Sequence, residues 1–258
     1  MSVSLKKDPC GYICICFTYM SLIYADYVVI KWIVLQTMQD SLWGPFNVVL
    51  FNSLILLLTL SHFRAMCSDP GVIPLPQTKM DFSDIYAASK EPLNQDDWTV
   101  CTRCETYRPP RAHHCRICQR CIRRMDHHCP WINNCVGELN QRFFIQFLMY
   151  AGVLTIYTLL LVTASWLKEC PSCSQEYSIR ELRVFHSIAL VLESILFGIF
   201  VILVLHDQLQ SLSNDETLIE EFYSENRRHI AKHKLLFWKL CKSPNITRNF
   251  IGKQLHNV

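Results

Sequence analysis

The stretch CTRCETYRPPRAHHCRICQRCIRRMDHHCPWINNC, from Cys101 to Cys135, decides what kind of domain the chain contains. It holds seven of the 14 cysteines of the 258-residue chain, together with four histidines. Packing alone does not need so many thiol and imidazole groups within one short segment. A cluster of this density indicates a metal site, redox chemistry or disulfide bonds.

Several common functional signatures do not occur in the sequence. The chain has only seven glycines. None of them forms the GxGxxG pattern of dinucleotide binding, the GxxxxGK[ST] pattern of a P-loop or the GxSxG pattern of a serine hydrolase. The chemistry of the chain is therefore expected to come from its cysteines and histidines, and no nucleic-acid partner is predicted.

Four apolar stretches flank the cysteine-rich segment, two on each side. A membrane-spanning helix needs about 20 mostly apolar residues, because its backbone must satisfy its own polar groups in hydrocarbon. The second and third stretches carry no formal charge, whereas the first contains Asp26 and the fourth contains Glu193. The sequence predicts a four-span membrane protein with an N-terminus at 1–11, spans at 12–35, 43–63, 143–167 and 184–206, a central loop at 66–142, a second loop at 168–183 and a tail at 207–258.

Lys and Arg are unevenly distributed among the segments outside the spans. The central loop contains ten and the tail eight, whereas the loop 168–183 contains three. Because positive charge is enriched on the cytosolic side, the N-terminus, central loop and tail are predicted to be cytosolic. The cytosol keeps thiols reduced, so the clustered cysteines are predicted to be metal ligands or a nucleophile. Cys170 and Cys173 lie in the loop on the opposite side and could be oxidised.

The cysteine-rich segment offers eleven candidate metal ligands. Repeated CxxC pairs with nearby histidines are strong indicators of zinc, since each pair places two thiolates on one metal at a tight turn. Two closed tetrahedral sites use eight ligands and leave three over. Several ligand sets can be drawn from eleven candidates, so spacing alone does not assign the sites. If His114 and His128 are ligands, the spare groups are His113, His127 and Cys129.

Two of these spare groups lie two positions apart in sequence. In an extended segment, residues at i and i+2 point the same way, so His127 can face Cys129 while His128 turns to a metal. A thiol beside an imidazole is the usual arrangement for a thiolate nucleophile. Asp126 could fix the tautomer of His127 if the chain turns locally. On spacing alone, Cys129 could also be an alternative zinc ligand.

These residues resemble the DHHC family of protein S-acyltransferases. The resemblance rests on DHHCPW at 126–131, the preceding Cys/His run, NCVG at 134–137, and Asn140 followed by Phe144. DPG at 69–71 resembles a second family motif. The tail sequence TLIE at 217–220 resembles the family's TTxE motif but has Leu218 at the second threonine.

The resemblance implies an all-α membrane protein with four transmembrane helices and, between helices 2 and 3, a cytosolic two-zinc domain of short hairpins at about 99–144. It implies that Cys129 is acylated by palmitoyl-CoA or a similar acyl-CoA and passes the chain to cysteines of membrane-associated proteins, activated by His127 and Asp126. It favours the Golgi, with the endoplasmic reticulum or plasma membrane as alternatives. The implied zinc ligands are Cys101, Cys104, His114 and Cys121 for one ion and Cys115, Cys118, His128 and Cys135 for the other.

The charge of the cysteine-rich segment adds one further expectation. Seven arginines and one acid lie between Cys101 and Arg124, so the surface of the zinc domain is predicted to be basic. Arg123 and Arg124 are the first candidates for binding CoA phosphates.

The sequence leaves two alternative functions. A membrane-anchored zinc-finger binding module, such as a RING-like ligase, would need zinc but no free nucleophile. A metal transporter would need ligands inside the spans, where only Asp26, His186 and Glu193 could serve.

Overall fold

The computed structural model describes residues 8–76, 98–170, 173–174, 176–220 and 222. Most of the predicted N-terminus, the segment 77–97 of the predicted central loop and 223–258 of the predicted tail lie outside the described residues. The chain divides into two compact units, Met1–Asp215 and Glu216–Val258. The first unit contains the helices and hairpins described below.

Four long helices account for the apolar stretches. Each is long and apolar enough to cross a membrane, and the predicted fold class is confirmed. A π-helical segment, Val29–Val34, interrupts the first helix. The helices are α1 at Pro9–Thr37, α2 at Trp43–Cys67, α3 at Gln141–Trp166 and α4 at Tyr177–Asn214.

The fourth helix is longer than the apolar stretch that predicts it. It has 38 residues, and its polar ends extend on both sides of the predicted span 184–206. Hydropathy marks the part of a helix that hydrocarbon would surround, whereas backbone hydrogen bonding continues into polar sequence. The extension matters because it places residues beyond 206 on a rigid helix.

The third helix lies between α2 and α4 and packs against both. Large side chains fill this interface and are almost fully buried, including Phe51, Phe144, Leu148 and Leu190. The outer surfaces of the helices are different, because large apolar side chains such as Leu160 and Ile202 are exposed there. An apolar exterior around an apolar interior is typical of helices that face lipid. In the loop between α3 and α4, Cys170 and Cys173 form a disulfide.

Three short antiparallel hairpins follow one another between α2 and α3. Each has two strands of three residues, and equivalent positions in successive hairpins are 14 residues apart: Thr99 pairs with Arg108, His113 with Ile122, and His127 with Val136. The strands are β1 at Thr99–Cys101, β2 at Thr106–Arg108, β3 at His113–Cys115, β4 at Arg120–Ile122, β5 at His127–Cys129 and β6 at Asn134–Val136.

Two buried asparagines join the third hairpin to the end of α2. The amide nitrogen of Asn134 donates to the carbonyl oxygens of Ala65, Met66 and Ser68 at 2.9 to 3.2 Å. Asn140 donates to Ala65 as well, and to the carbonyl of Cys135 at 2.8 Å. The last carbonyls of a helix have no partner within the helix, so these amides satisfy groups that would otherwise be buried and unpaired.

The segment after α2 joins the second hairpin in a similar way. The carboxylate of Asp69 accepts hydrogen bonds from the backbone N–H groups of Gly71 and Val72 at 2.9 and 2.8 Å. Gly71 has a φ of 102°, a conformation that side chains rarely adopt. The turn lets the backbone N–H of Ile73 donate to the carbonyl of Cys121, in β4, at 2.9 Å. The DPG motif is therefore a turn that attaches the hairpins to the end of α2.

Candidate active site and zinc centres

The first metal centre is shared between the first two hairpins. Cys101 ends β1 and Cys104 lies in the turn that follows, while His114 and Cys121 face each other across β3 and β4. The Nδ1 atom of His114 lies 3.6, 3.2 and 3.9 Å from the three sulfur atoms. Tetrahedral ligands about 2.3 Å from a zinc ion lie about 3.8 Å from one another. The donor set and spacing therefore fit one zinc ion.

The second centre repeats the first, one hairpin further along the chain. Cys115 ends β3 and Cys118 lies in the turn that follows, and His128 faces Cys135 across β5 and β6. The Nδ1 atom of His128 lies 3.7, 3.4 and 3.6 Å from these sulfur atoms. This set also fits one zinc ion. The two groups of four are those that the family resemblance implies.

The 14-residue repeat explains why one cysteine is left over. Cys129 ends the first strand of its hairpin, as Cys101 and Cys115 do in theirs. Three residues later, however, the third hairpin has Ile132, where the first two have Cys104 and Cys118. Ile132 is fully buried in the core shared with the helices. The third hairpin therefore lacks the second thiol of a metal-binding turn. Cys129 occupies the position of a metal ligand in the repeat, but it has no set of further ligands around it.

Cys129 instead lies beside an imidazole and a carboxylate. His127 is on the same face of β5 and interacts with the thiol of Cys129. The Nδ1 atom of His127 is 2.7 Å from Oδ2 of Asp126, whose side chain is 1% exposed. The ring of Phe144 packs edge-on against His127 with 5.4 Å between centroids. The carboxylate at Nδ1 leaves Nε2 free to exchange a proton with the thiol.

Burial and hydrogen bonding act in opposite directions on His127. Burial disfavours the charged imidazolium, but hydrogen bonds to Asp126 and Cys129 outweigh it and raise the pKa of His127 to about 9. The site therefore favours an imidazole that holds a proton close to the sulfur. This arrangement is chemically suited to a thiolate nucleophile.

A glutamine from α4 completes the group, and the sequence did not reveal it. Gln208 is fully buried, and its Nε2 atom donates to Oδ2 of Asp126 at 2.7 Å. Gln141, at the start of α3, donates to the Oε1 atom of Gln208 at 3.4 Å. The predicted span ended at residue 206, which left Gln208 in the tail. No sequence pattern marked it, because the helix continues past residue 206 without the apolar run that predicts a span.

The two arginines nominated for CoA phosphates already face carboxylates. Arg123 lies 3.8 Å from Glu138, and both side chains are partly exposed. Arg124 and Arg111 both pair with Asp215, at the end of α4. Arg124 and Arg111 hold the pKa of the Asp215 carboxyl below its usual range. An anion at this surface would compete with these carboxylates.

An open cavity lies between the helices. Side chains from all four helices line it, and it reaches the third hairpin at Trp131, two residues after Cys129. Most of the lining is apolar, but Ser21 and Glu193 also contribute, and the hydroxyl of Ser21 donates to the carboxylate of Glu193. A polar residue of α1 and an acidic residue of α4 are thus hydrogen-bonded to each other. Trp131 packs against Phe197 and Phe200, with ring centroids 6.0 and 5.4 Å apart.

The second unit begins with the TTxE-like segment. The backbone N–H of Thr217 donates to the carboxylate of Glu220 at 2.8 Å, and the backbone N–H of Glu220 donates to the hydroxyl of Thr217 at 3.4 Å. This reciprocal pair is a capping box at the start of a helix. Leu218 replaces a residue that neither of these two hydrogen bonds uses.

Fold and site together define a class: a multi-pass membrane protein whose domain of two potential zinc centres holds a thiol, an imidazole and a carboxylate beside a cavity between its helices. The chain belongs to the DHHC palmitoyltransferase family, whose sequence model matches residues 94–225. The resemblance seen in the sequence is thereby confirmed.

Curated relatives match over most of the chain. Palmitoyltransferase ZDHHC7 of Rattus norvegicus is 40% identical over 227 residues, which cover 85% of this chain and 70% of the relative. Palmitoyltransferase ZDHHC3 of Homo sapiens is 36% identical over 241 residues, covering 90% and 77%. Probable protein S-acyltransferase 15 of Arabidopsis thaliana is 31% identical over 201 residues, covering 78% and 74%. The similarity therefore extends well beyond the zinc domain.

Proposed function

We propose that this chain is a protein S-acyltransferase that carries an acyl group on Cys129 between acyl-CoA and a cysteine of a protein substrate. The observation that carries the proposal is the series Asp126, His127 and Cys129 outside both metal centres: Asp126 is hydrogen-bonded to His127, which lies on the same face of β5 as the Cys129 thiol. A zinc-finger binding module would need the metal centres but not this series. Membership of the palmitoyltransferase family supports the same function.

The reaction has two transfers at one sulfur atom. The thiolate of Cys129 attacks the carbonyl carbon of the CoA thioester, a new carbon–sulfur bond forms, and the CoA thiolate leaves with a proton from His127. A substrate cysteine then gives a proton to His127 and takes the acyl group, which restores the Cys129 thiolate. Asp126 stabilises the imidazolium of His127 in both steps, as the aspartate of a catalytic triad does.

The cavity supports a lipid chain as the group transferred. Each buried CH₂ contributes about 0.8 kcal/mol to membrane partitioning, so a long acyl chain remains among the helices while its CoA head stays in water. The lining of the cavity is mostly apolar and reaches the hairpins at Trp131. A thioester on Cys129 would lie beside this opening. Arg123 and Arg124 remain the candidates for the CoA phosphates, at the expense of their pairs with Glu138 and Asp215.

The metal centres support the nucleophile rather than react themselves. Zinc bound by the four protein ligands of each group supplies a structural crosslink, since no coordination position stays open for water or substrate. His128 and Cys135 hold β5 against β6, and β5 carries both His127 and Cys129. The second group therefore sets the orientation of the catalytic strand.

The function is tested with the full-length chain purified in detergent. Incubation with palmitoyl-CoA is expected to release about one CoA per chain in a rapid burst and to leave a hydroxylamine-sensitive label on the protein. A membrane-anchored peptide with one cysteine is then expected to remove the label and become acylated. Two zinc ions per chain without any burst would contradict the proposal and favour a binding module.

Gln208 is expected to control how fast the acyl-enzyme forms. Its hydrogen bond helps to hold the Asp126 carboxylate toward His127, and hydrogen bonds to charged groups contribute about 1.5–3 kcal/mol. Gln208→Met, which keeps the length of the side chain but removes the donor, should slow the CoA burst about tenfold at saturating palmitoyl-CoA. The concentration for half-maximal rate should not change, because Gln208 does not line the cavity.

The matched control is Gln210→Met, because Gln210 lies on the same helix with an exposed side chain. This variant should retain the wild-type burst. Wild-type kinetics in Gln208→Met, or an equal loss in both variants, would show that the hydrogen bond to Asp126 does not affect the reaction.

The membrane placement is also part of the proposal. Cytosolic hairpins follow from the distribution of Lys and Arg, and they would place Cys129 in the compartment that contains acyl-CoA. Golgi membranes are the proposed location, on the family resemblance alone. A tagged chain that colocalises with a Golgi marker would support this location, and one found only in the endoplasmic reticulum or plasma membrane would contradict it.

A further inference from the structure

We propose that Asp8, at the start of α1, is a positioning residue for the second zinc centre and holds the imidazole of His128 in the orientation that binds the metal. The inference rests on the zinc assignment made above. It concerns a residue 120 positions away in sequence from the histidine that it contacts.

The two nitrogen atoms of His128 have different partners. Nδ1 faces the three thiols of the second centre, and Nε2 lies 3.1 Å from Oδ2 of Asp8. A histidine that binds a metal through one nitrogen commonly donates the N–H of the other to a carboxylate, which fixes the tautomer and increases the basicity of the ligand. The contact with Asp8 has this geometry.

The carboxylate is enclosed in the structure. Asp8 is 7% exposed, and it lies near the backbone N–H groups of Cys10 and Gly11 at the positive end of α1. A buried carboxylate is unfavourable unless it has hydrogen-bond donors, and the N–H of His128 supplies one. The carboxylate of Asp8 therefore faces the start of α1 on one side and a candidate zinc ligand on the other.

The packing of Gly11 explains how α1 comes so close to the hairpins. A Cβ atom on Gly11 would lie 2.6 Å from side-chain atoms of Asn133 and 2.8 Å from Oδ2 of Asp8. Asn133 has a φ of 44° in the turn between β5 and β6. The first turn of α1 therefore fits directly against the third hairpin, and this contact brings Asp8 to His128.

The test measures release of zinc from each centre separately. Full-length wild type, Asp8→Ala and Asp8→Asn are treated with a chelator, and the cysteines that become reactive are alkylated and quantified by mass spectrometry. In Asp8→Ala, alkylation of Cys115, Cys118 and Cys135 should become about tenfold faster, because loss of such a carboxylate commonly weakens metal binding 10- to 100-fold. Alkylation of Cys101, Cys104 and Cys121 should stay at the wild-type rate.

Two variants sharpen the interpretation. Asp8→Asn keeps an acceptor oxygen for the imidazole N–H and should lie between wild type and Asp8→Ala. Asp40→Asn changes an exposed aspartate in the turn after α1 and should match wild type. Equal acceleration at both centres would indicate general loosening of the domain and would overturn the proposal.

The remaining outcomes separate this inference from the zinc assignment. A wild type with two zinc ions and an Asp8→Ala variant with unchanged release would overturn the role of Asp8 and leave the zinc centres in place. A wild type without zinc, whose six cysteines react before any chelator is added, would overturn both.

Discussion

Cys129→Ser is expected to abolish the acyl-enzyme. A serine hydroxyl at this position would face the same imidazole, but it is a far weaker nucleophile than a thiolate at neutral pH. The burst of CoA from palmitoyl-CoA should fall at least about 10³-fold, as when the nucleophile of a catalytic series is removed. The hydroxylamine-sensitive label should disappear with it, because Cys129 would carry the thioester.

Zinc content distinguishes loss of the nucleophile from loss of the fold. Cys129 belongs to neither group of four, so Cys129→Ser should retain two zinc ions per chain. Cys67→Ser is the matched control, since Cys67 is half-buried at the end of α2 and lies outside the metal centres. A Cys129→Ser chain that still forms the label at the wild-type rate would place the acyl group on another cysteine and exclude Cys129 as the carrier.

Cys118→Ala is expected to lose both the second zinc ion and the activity. The change leaves His128, Cys115 and Cys135 with an incomplete donor set, and structural zinc contributes about 10–16 kcal/mol to small metal-dependent domains. Zinc measured by mass spectrometry should fall from two ions to about one per chain. Without the crosslink at His128, the strand that carries His127 and Cys129 loses its anchor, so the CoA burst should fall to background.

The equivalent change in the first centre is the control for zinc loss itself. Cys104 precedes Cys118 by one 14-residue repeat, and Cys104→Ala should also reduce zinc to about one ion per chain. Alkylation should then identify different cysteines in the two variants: Cys101 and Cys121 in one, Cys115 and Cys135 in the other. Retention of two zinc ions in either variant would contradict the corresponding ligand set.

The four-helix architecture could be predicted because the sequence of a membrane span must meet one strong physical requirement. A segment that crosses hydrocarbon must be apolar over its whole length, and the four stretches in this chain meet that requirement. The end of α4 could not be predicted in the same way, since no comparable penalty marks where a helix stops in water. Gln208 was missed for this reason, although it contacts the carboxylate of Asp126.

The metal centres were only partly predictable from spacing. Eleven ligands in one segment allow several sets of four, and the family resemblance was needed to choose among them. The hairpin register agrees with this choice, because it places His114 opposite Cys121 and His128 opposite Cys135. The 14-residue period was present in the sequence and would have indicated these pairs.

The contact between Asp8 and His128 could not have been predicted by any local pattern. Asp8 is not unusual in its own segment, and it meets His128 because α1 packs against a hairpin that follows more than 100 residues later. Contacts of this kind depend on how secondary-structure elements pack together. Sequence patterns describe the elements themselves.

Because β5 contains two adjacent histidines, a shift in its pairing with β6 would place the wrong imidazole beside Cys129. His127 and His128 are chemically identical, and only the alternation of side chains along the strand directs one to the thiol and the other to the metal centre. A one-residue slip in β5 would exchange the two imidazoles and turn Cys129 toward the opposite face. The slipped form would still contain every required side chain, yet it would be inactive. An inserted or deleted residue in this hairpin should therefore be far more damaging than a conservative substitution of any of its residues outside the metal ligands, His127 and Cys129.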